Sequence, residues 1–126
     1  MEKIIFVFGS NIVGRHGKGA ALVAKLRYGA IQGRGEGLQG DSYGIPTKDE
    51  RIKTLDLISV YGHVQKFISF AINHPDMKFH VTRIGCGLAG YKDSDIAPLF
   101  LNSPDNCKFS SKWKAFLPKH DSWCDL

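Results

Sequence analysis

Ile4-Ile5-Phe6-Val7-Phe8-Gly9-Ser10-Asn11 is an unbroken apolar run that ends in a glycine turn. Consecutive apolar residues without alternation suit a strand whose sheet is covered on both faces, as parallel sheets are. A buried strand is therefore predicted over Lys3 to Phe8. The run is too short for a signal or membrane-spanning segment. A second glycine turn, Arg15-His16-Gly17-Lys18-Gly19, opens a helix-like stretch from about Gly19 to Tyr28. Leu22 and Leu26 share one face of it at i,i+4, and Gly29 is its expected stop.

Working outward, the stretch from Ile31 to Gly40 is rich in glycine and reads as irregular. Ser42-Tyr43-Gly44-Ile45 reads as a short strand ended by Pro46. Thr54 is the expected cap of a helix over roughly Leu55 to Asn73. Its apolar positions Leu57, Val60, Tyr61, Val64, Phe67, Ile68 and Ala71 keep the helical period, and Pro75 follows. Met77 to Ile84 alternates, with Phe79 and Val81 on one face, and runs into a third glycine turn, Arg83-Ile84-Gly85-Cys86-Gly87-Leu88-Ala89-Gly90-Tyr91. A short helix capped by Ser94 and reaching about Leu101, then a last strand over Cys107 to Phe109, complete the pattern. Strands alternating with helices predict a layered α/β/α fold with a mostly parallel sheet. Its binding crevice would lie at the carboxyl ends of the strands.

The chain has 126 residues, which predicts a single domain over 1–126 with a core that needs no disulfide or metal. Its net charge of +5 favours an acidic partner without naming one. Basic residues are dispersed, which argues against a dedicated nucleic-acid surface. Cys86, Cys107 and Cys124 show neither paired nor metal-ligand spacing, so no disulfide framework, metal site or cofactor is implied, and a reducing cytoplasm is the expected setting.

Two motif matches fail on context. Gly35-Glu36-Gly37-Leu38-Gln39-Gly40 fits a dinucleotide fingerprint, but it precedes a strand and opens no helix. Gly9 to Gly14 has the glycine spacing of a P-loop, yet Arg15-His16 stand where lysine and a hydroxyl residue belong. The glycines themselves remain informative. Backbone N–H groups at a strand-to-helix junction can approach an anion, with the helix N-terminus favouring negative charge. Two such loops, far apart in sequence, predict one pocket for a ligand with several phosphates.

Individual side chains admit two readings each. Asn11 can orient a ribose or close its own loop as an Asx-turn. Lys18, between two glycines, can reach a phosphate or stay solvated. Lys48, in Ile45-Pro46-Thr47-Lys48-Asp49, can attack a sugar anomeric carbon or be an exposed turn lysine. His16 is the histidine best placed to meet a ligand, while Cys86 reads as a small buried residue rather than a catalytic thiol. Asp93 and Asp95 suit a turn and a helix start, with a water-orienting base as the sharper alternative. Trp113, Phe116 and Trp123 are expected to pack back on the sheet.

At these residues the chain resembles the macrodomain family, whose members bind ADP-ribose and often remove it from modified targets. The likeness rests on Asn11 with His16-Gly17-Lys18-Gly19-Ala20, and on Ile84-Gly85-Cys86-Gly87-Leu88-Ala89-Gly90-Tyr91. It implies that Gly9, Ser10, Asn11 and the 16–20 turn hold the distal ribose, and that the 85–91 turn holds the diphosphate, with Tyr91 over a ribose. Arg83 to Leu88 together with Thr47-Lys48 is most similar to members that cleave terminal ADP-ribose from acidic side chains or DNA bases. That likeness implies Lys48 as the catalytic residue, with Asn11 orienting its substrate. Ala89 stands where some members carry an acidic partner for the lysine.

Three functions follow as expectations: an ADP-ribosyl glycohydrolase, a non-catalytic binder of an ADP-ribose-type ligand, and, ranked below both, a small basic nucleic-acid-binding protein. Nucleic acid would otherwise enter only as a modified substrate, and no membrane partner is expected.

Overall fold

The computed structural model describes residues 3–125. Five strands form one mostly parallel sheet: β1 (Lys3–Asn11), β2 (Gly37–Gln39), β3 (Ser42–Lys48), β4 (Met77–Val81) and β5 (Cys107–Phe109), in the spatial order β2-β3-β1-β4-β5. Only β2 runs antiparallel to its neighbour. Helix α1 (Gly19–Arg27) leads from β1 toward β2 and β3, and α2 (Leu57–Ile72) leads from β3 to β4 on the other side of β1. The chain thus winds outward from β1 in both directions, which opens a crevice at its carboxyl end.

Alternation along β1 assigns its two faces. Ile5 and Val7 join Val60, Val64, Phe67 and Ile68 of α2 in the larger core, whereas Phe6 and Phe8 meet Ala21 and Ala24 of α1. The sheet is therefore covered on both faces, as its unbroken apolar run requires. Phe67 anchors the larger core, with its ring centroid 5.1 Å from Tyr43 and 5.4 Å from Phe79. Helix α3 (Asp93–Ile96) and a 3-10 turn at Ala97–Phe100 close one end, and Trp113 is fully buried beside Phe100 and Phe109. Trp123 pairs in parallel with Phe109, so the aromatic tail does pack back on the sheet.

Several local expectations are corrected. α1 buries Ala21 and Ala24, while Leu26 is 73% exposed, because close approach of this helix to the sheet selects small residues. The glycine-rich stretch contains β2, joined to β3 through Gly40-Asp41, with Gln39 opposite Ser42. β3 does not stop at Pro46 but continues to Lys48. β2 pairs with β3 only as far as Gly44, so the edge beyond is open and tolerates a residue without an N–H. Asp56, not Thr54, caps α2, its carboxylate accepting from the Ser59 N–H at 2.9 Å. Ser94 lies inside α3, whose start is held instead by Asp95 accepting from the Lys92 N–H at 3.1 Å.

Candidate binding cleft at the strand ends

The carboxyl ends of β3, β1, β4 and β5 border one cleft of about 850 Å³. It runs from Lys48 at the end of β3 and Ile52 beyond it, past Gly9 to Asn11, to Thr82, Ser110 and Cys124 beyond β4 and β5. Adjacent strands lie ~4.8 Å apart, so four neighbouring ends span about 14 Å. That length exceeds what a single phosphate would fill.

The first and third glycine turns meet backbone to backbone. A Cβ placed on Gly9 would stand 3.4 Å from the amide nitrogen of Gly85. The second turn meets the third as well, because Leu88 Cδ1 comes within 3.3 Å of a Cβ placed on Gly19. The convergence predicted from the sequence is thus present, with Asn11 and Gly87 on the walls of the same cleft.

Both loops present unclaimed donors. Lys18 occupies the N-cap of α1 without a side-chain cap bond, and the N–H groups of Gly19, Ala20 and Ala21 find no acceptor among the described residues. The same holds for Gly87, Leu88 and Ala89. Their turn is set by internal bonds, Gly90 N–H to Gly87 at 3.0 Å and Tyr91 N–H to Gly85 at 2.8 Å. Gly85 (φ +74°) and Gly90 (φ +86°) adopt backbone angles that exclude most other residues. Free N–H groups at a helix start and in a tight turn form an anion-binding surface.

Charge on the walls has one sign. Arg15, Lys18, Arg27, Lys48 and Arg83 line the cleft, and no Asp or Glu does so among the described residues. Arg83 is already paired: its Nε donates to Asp93 at 2.8 Å, and a second nitrogen donates at 2.5 Å. The Arg83 guanidinium holds the Asp93 carboxyl down at about 2 against the cost of its burial, helped by a 2.7 Å bond from the Trp113 indole. Asp93 is therefore a fixed anion bracing the loop, not a base.

The candidate residues sort by geometry. Gly9, Ser10, Asn11, Gly17, Lys18, Gly19, Ala20, Lys48, Gly85, Gly87, Leu88 and Ala89 line the cleft; His16, Cys86, Gly90 and Tyr91 do not. His16 is 0% exposed, its Nε2 2.9 Å from the Arg34 carbonyl, its Nδ1 unpartnered and its ring edge-on to Phe8. Tyr91 donates its hydroxyl to the Leu55 carbonyl at 2.6 Å, bracing the loop instead of reaching over the cleft. Burial and the neighbouring Asp93 push the Cys86 thiol up to about 12, so it stays protonated and unreactive at neutral pH.

Asn11 uses both ends of its carboxamide on Arg15, donating to the carbonyl at 2.9 Å and accepting from the N–H at 2.8 Å. Lys48 ends β3 half-buried, and no carboxylate among the described residues lies within ion-pair distance of it. Thr54 donates to the Ala89 carbonyl at 2.8 Å and so fastens the hairpin after Lys48 to the glycine loop. Arg27, Ile52 and the stacked pair Phe6–Tyr28 (centroids 4.4 Å apart) are wall residues that no local motif marks, and Arg15, at the edge of the second glycine turn, joins them.

No helix among the described residues is long and apolar enough to cross a membrane. No family model and no curated protein matches the sequence. Among solved structures, a protein of unknown function from Bacteroides thetaiotaomicron superposes with a TM-score of 0.58 at 18% identity, over 79% of this chain and 79% of that one. At that identity the likeness speaks for the fold alone.

Proposed function

We propose that the cleft binds ADP-ribose or a related ADP-ribosyl nucleotide. The observation that carries this reading is the meeting of two sets of unclaimed N–H groups, at the start of α1 and at Gly87 to Ala89, in a cleft whose walls are cationic. The diphosphate lies between those two sets, where fixed donors hold negative charge without reorganising. The distal sugar then points to the Lys48 end, and the base to the Thr82, Ser110 and Cys124 end. The resemblance to macrodomains at the same two loops supports the assignment of ligand class.

In the hydrolytic form of this reading, Lys48 acts at the anomeric carbon of the distal ribose. Its neutral amine forms a bond to that carbon as the bond to the modified group breaks and that group takes up a proton; water then frees the sugar and restores the amine. The binding-only form is favoured by one observation: the Asn11 carboxamide is committed to Arg15, so it is not free to orient the distal sugar for Lys48. Nucleic acid without the ADP-ribosyl group ranks third and predicts an affinity that falls steeply with salt. Calorimetric titration with ADP-ribose tests the shared claim, and absence of binding at millimolar ligand sinks it. Release of ADP-ribose from a modified protein or DNA by the parent chain separates enzyme from binder.

A further inference from the structure

Ile52 is the one non-glycine residue with a positive φ (61°) among the described residues. Its position explains the backbone. The Ile52 N–H reaches the Asp49 carbonyl at 3.0 Å, closing a four-residue turn, and the Asp49 N–H reaches the Lys53 carbonyl at 2.8 Å. The Asp49 carboxylate accepts from the N–H groups of Arg51 and Lys53, and Lys48 pairs with Thr54 below. This is a hairpin loop whose last residue must be left-handed, where glycine or asparagine is the usual occupant. A β-branched side chain there is strained.

The strained residue lines the cleft. Ile52 lines the cleft with Lys48, Leu88 and Ala89, on a hairpin tied to the glycine loop through Thr54. Local strain kept at a cleft wall points to use of the side chain. Resting on the reading of the cleft as an ADP-ribose-type site, we propose that Ile52 is a specificity-determining residue, the apolar wall against which the carbon face of the distal sugar lies beside Lys48. Cations and backbone donors alone accept any diphosphate. An aliphatic wall adds discrimination for a ligand that continues past the phosphates into a sugar.

The test uses Ile52→Gly and Ile52→Asn, both at ease in the left-handed region, titrated calorimetrically with ADP-ribose and with ADP. Each variant is expected to lose about tenfold in affinity for ADP-ribose, the scale of a missing apolar contact in a pocket. Affinity for ADP stays at the parent value, and the thermal midpoint is equal to or above the parent's. An unchanged ratio of the two affinities, or an equal drop for both nucleotides, overturns the role of Ile52 while leaving the ligand class standing. A parent chain that binds neither nucleotide overturns the ligand class itself and this inference with it.

Discussion

Asn11 and Lys48 face each other across a register shift between β1 and β3. Ser10 pairs with Pro46 but Asn11 pairs with Lys48, leaving Thr47 as the extra residue, its hydroxyl donating to the Ser10 carbonyl at 3.3 Å. A bulge of this kind re-aims the side chains beyond it. Pro46, lacking an N–H, stands where the ladder slips, and Lys48 is thereby delivered to the cleft from the end of a strand rather than from a loose loop. Lys48→Ala is expected to fold as the parent does and to keep most of its ADP-ribose affinity, because the backbone donors are untouched. In the hydrolytic form of the proposed function, release of ADP-ribose from a modified substrate is expected to fall by at least ~100-fold. Equal release rates in parent and variant would remove Lys48 from the chemistry.

Asn11→Ala tests the clamp on Arg15. The substitution deletes two hydrogen bonds that fix the turn between β1 and α1, at about 1 kcal/mol each. A loss of ~1–2 kcal/mol in urea unfolding is expected, together with weaker ligand binding as the α1 end of the cleft loses its shape. If stability is unchanged while binding disappears, Asn11 touches the ligand directly and the clamp is secondary.

β1 was legible from an unbroken apolar run buried on both faces, and α2 and β4 from the spacing of one buried face, Val60, Val64, Phe67 and Ile68 or Phe79 and Val81. The glycine loops were legible for the same local reason. What escaped depends on partners distant in sequence. Pro46 reads as a strand end unless one knows that β2 stops pairing at Gly44. Leu22 and Leu26 read as the buried face until the closeness of α1 to the sheet makes Ala21 and Ala24 the better fit. Gly40-Asp41 is itself a two-residue hairpin signal that marks β2. His16 looked available beside two glycines, yet the Arg34 carbonyl, eighteen residues on, draws its ring inside.

Gly87→Ala and Gly35→Ala separate the cleft from the fold. A Cβ on Gly87 meets nothing within 4 Å, whereas one on Gly35 would lie 2.1 Å from the Asn11 carbonyl oxygen. Gly35→Ala is expected to destabilise by ~2–3 kcal/mol or to fail to fold, since backbone must move to admit the methyl group. Gly87→Ala should stay within ~0.5 kcal/mol of the parent in urea unfolding. Its new methyl group stands among the donors of the third turn, so ADP-ribose affinity should fall about tenfold or more. Retention of full affinity in Gly87→Ala would argue that the diphosphate lies elsewhere.

The Arg83–Asp93 pair sets an acid limit on the loop. The folded Asp93 carboxyl ionises at about 2, below its ordinary value of 3.8, because the guanidinium bonds to its charged form. Its contribution to stability is therefore complete above about pH 4 and is lost as pH falls toward about 2. The side chains of Arg83 and Asp93 are 37% and 26% exposed, so solvent screening reduces that contribution to ~1 kcal/mol. Asp93→Asn keeps an oxygen for the Trp113 indole but removes the charge. It should be ~1 kcal/mol less stable than the parent near neutral pH and should converge with it near pH 2, as read by urea unfolding across that range. Because Asp93 braces the strand-end loop from outside the cleft, ADP-ribose affinity at neutral pH should weaken only modestly in this variant. A complete loss of binding there would place the carboxylate in the site itself and contradict the role that its bonds to Arg83 and Trp113 define.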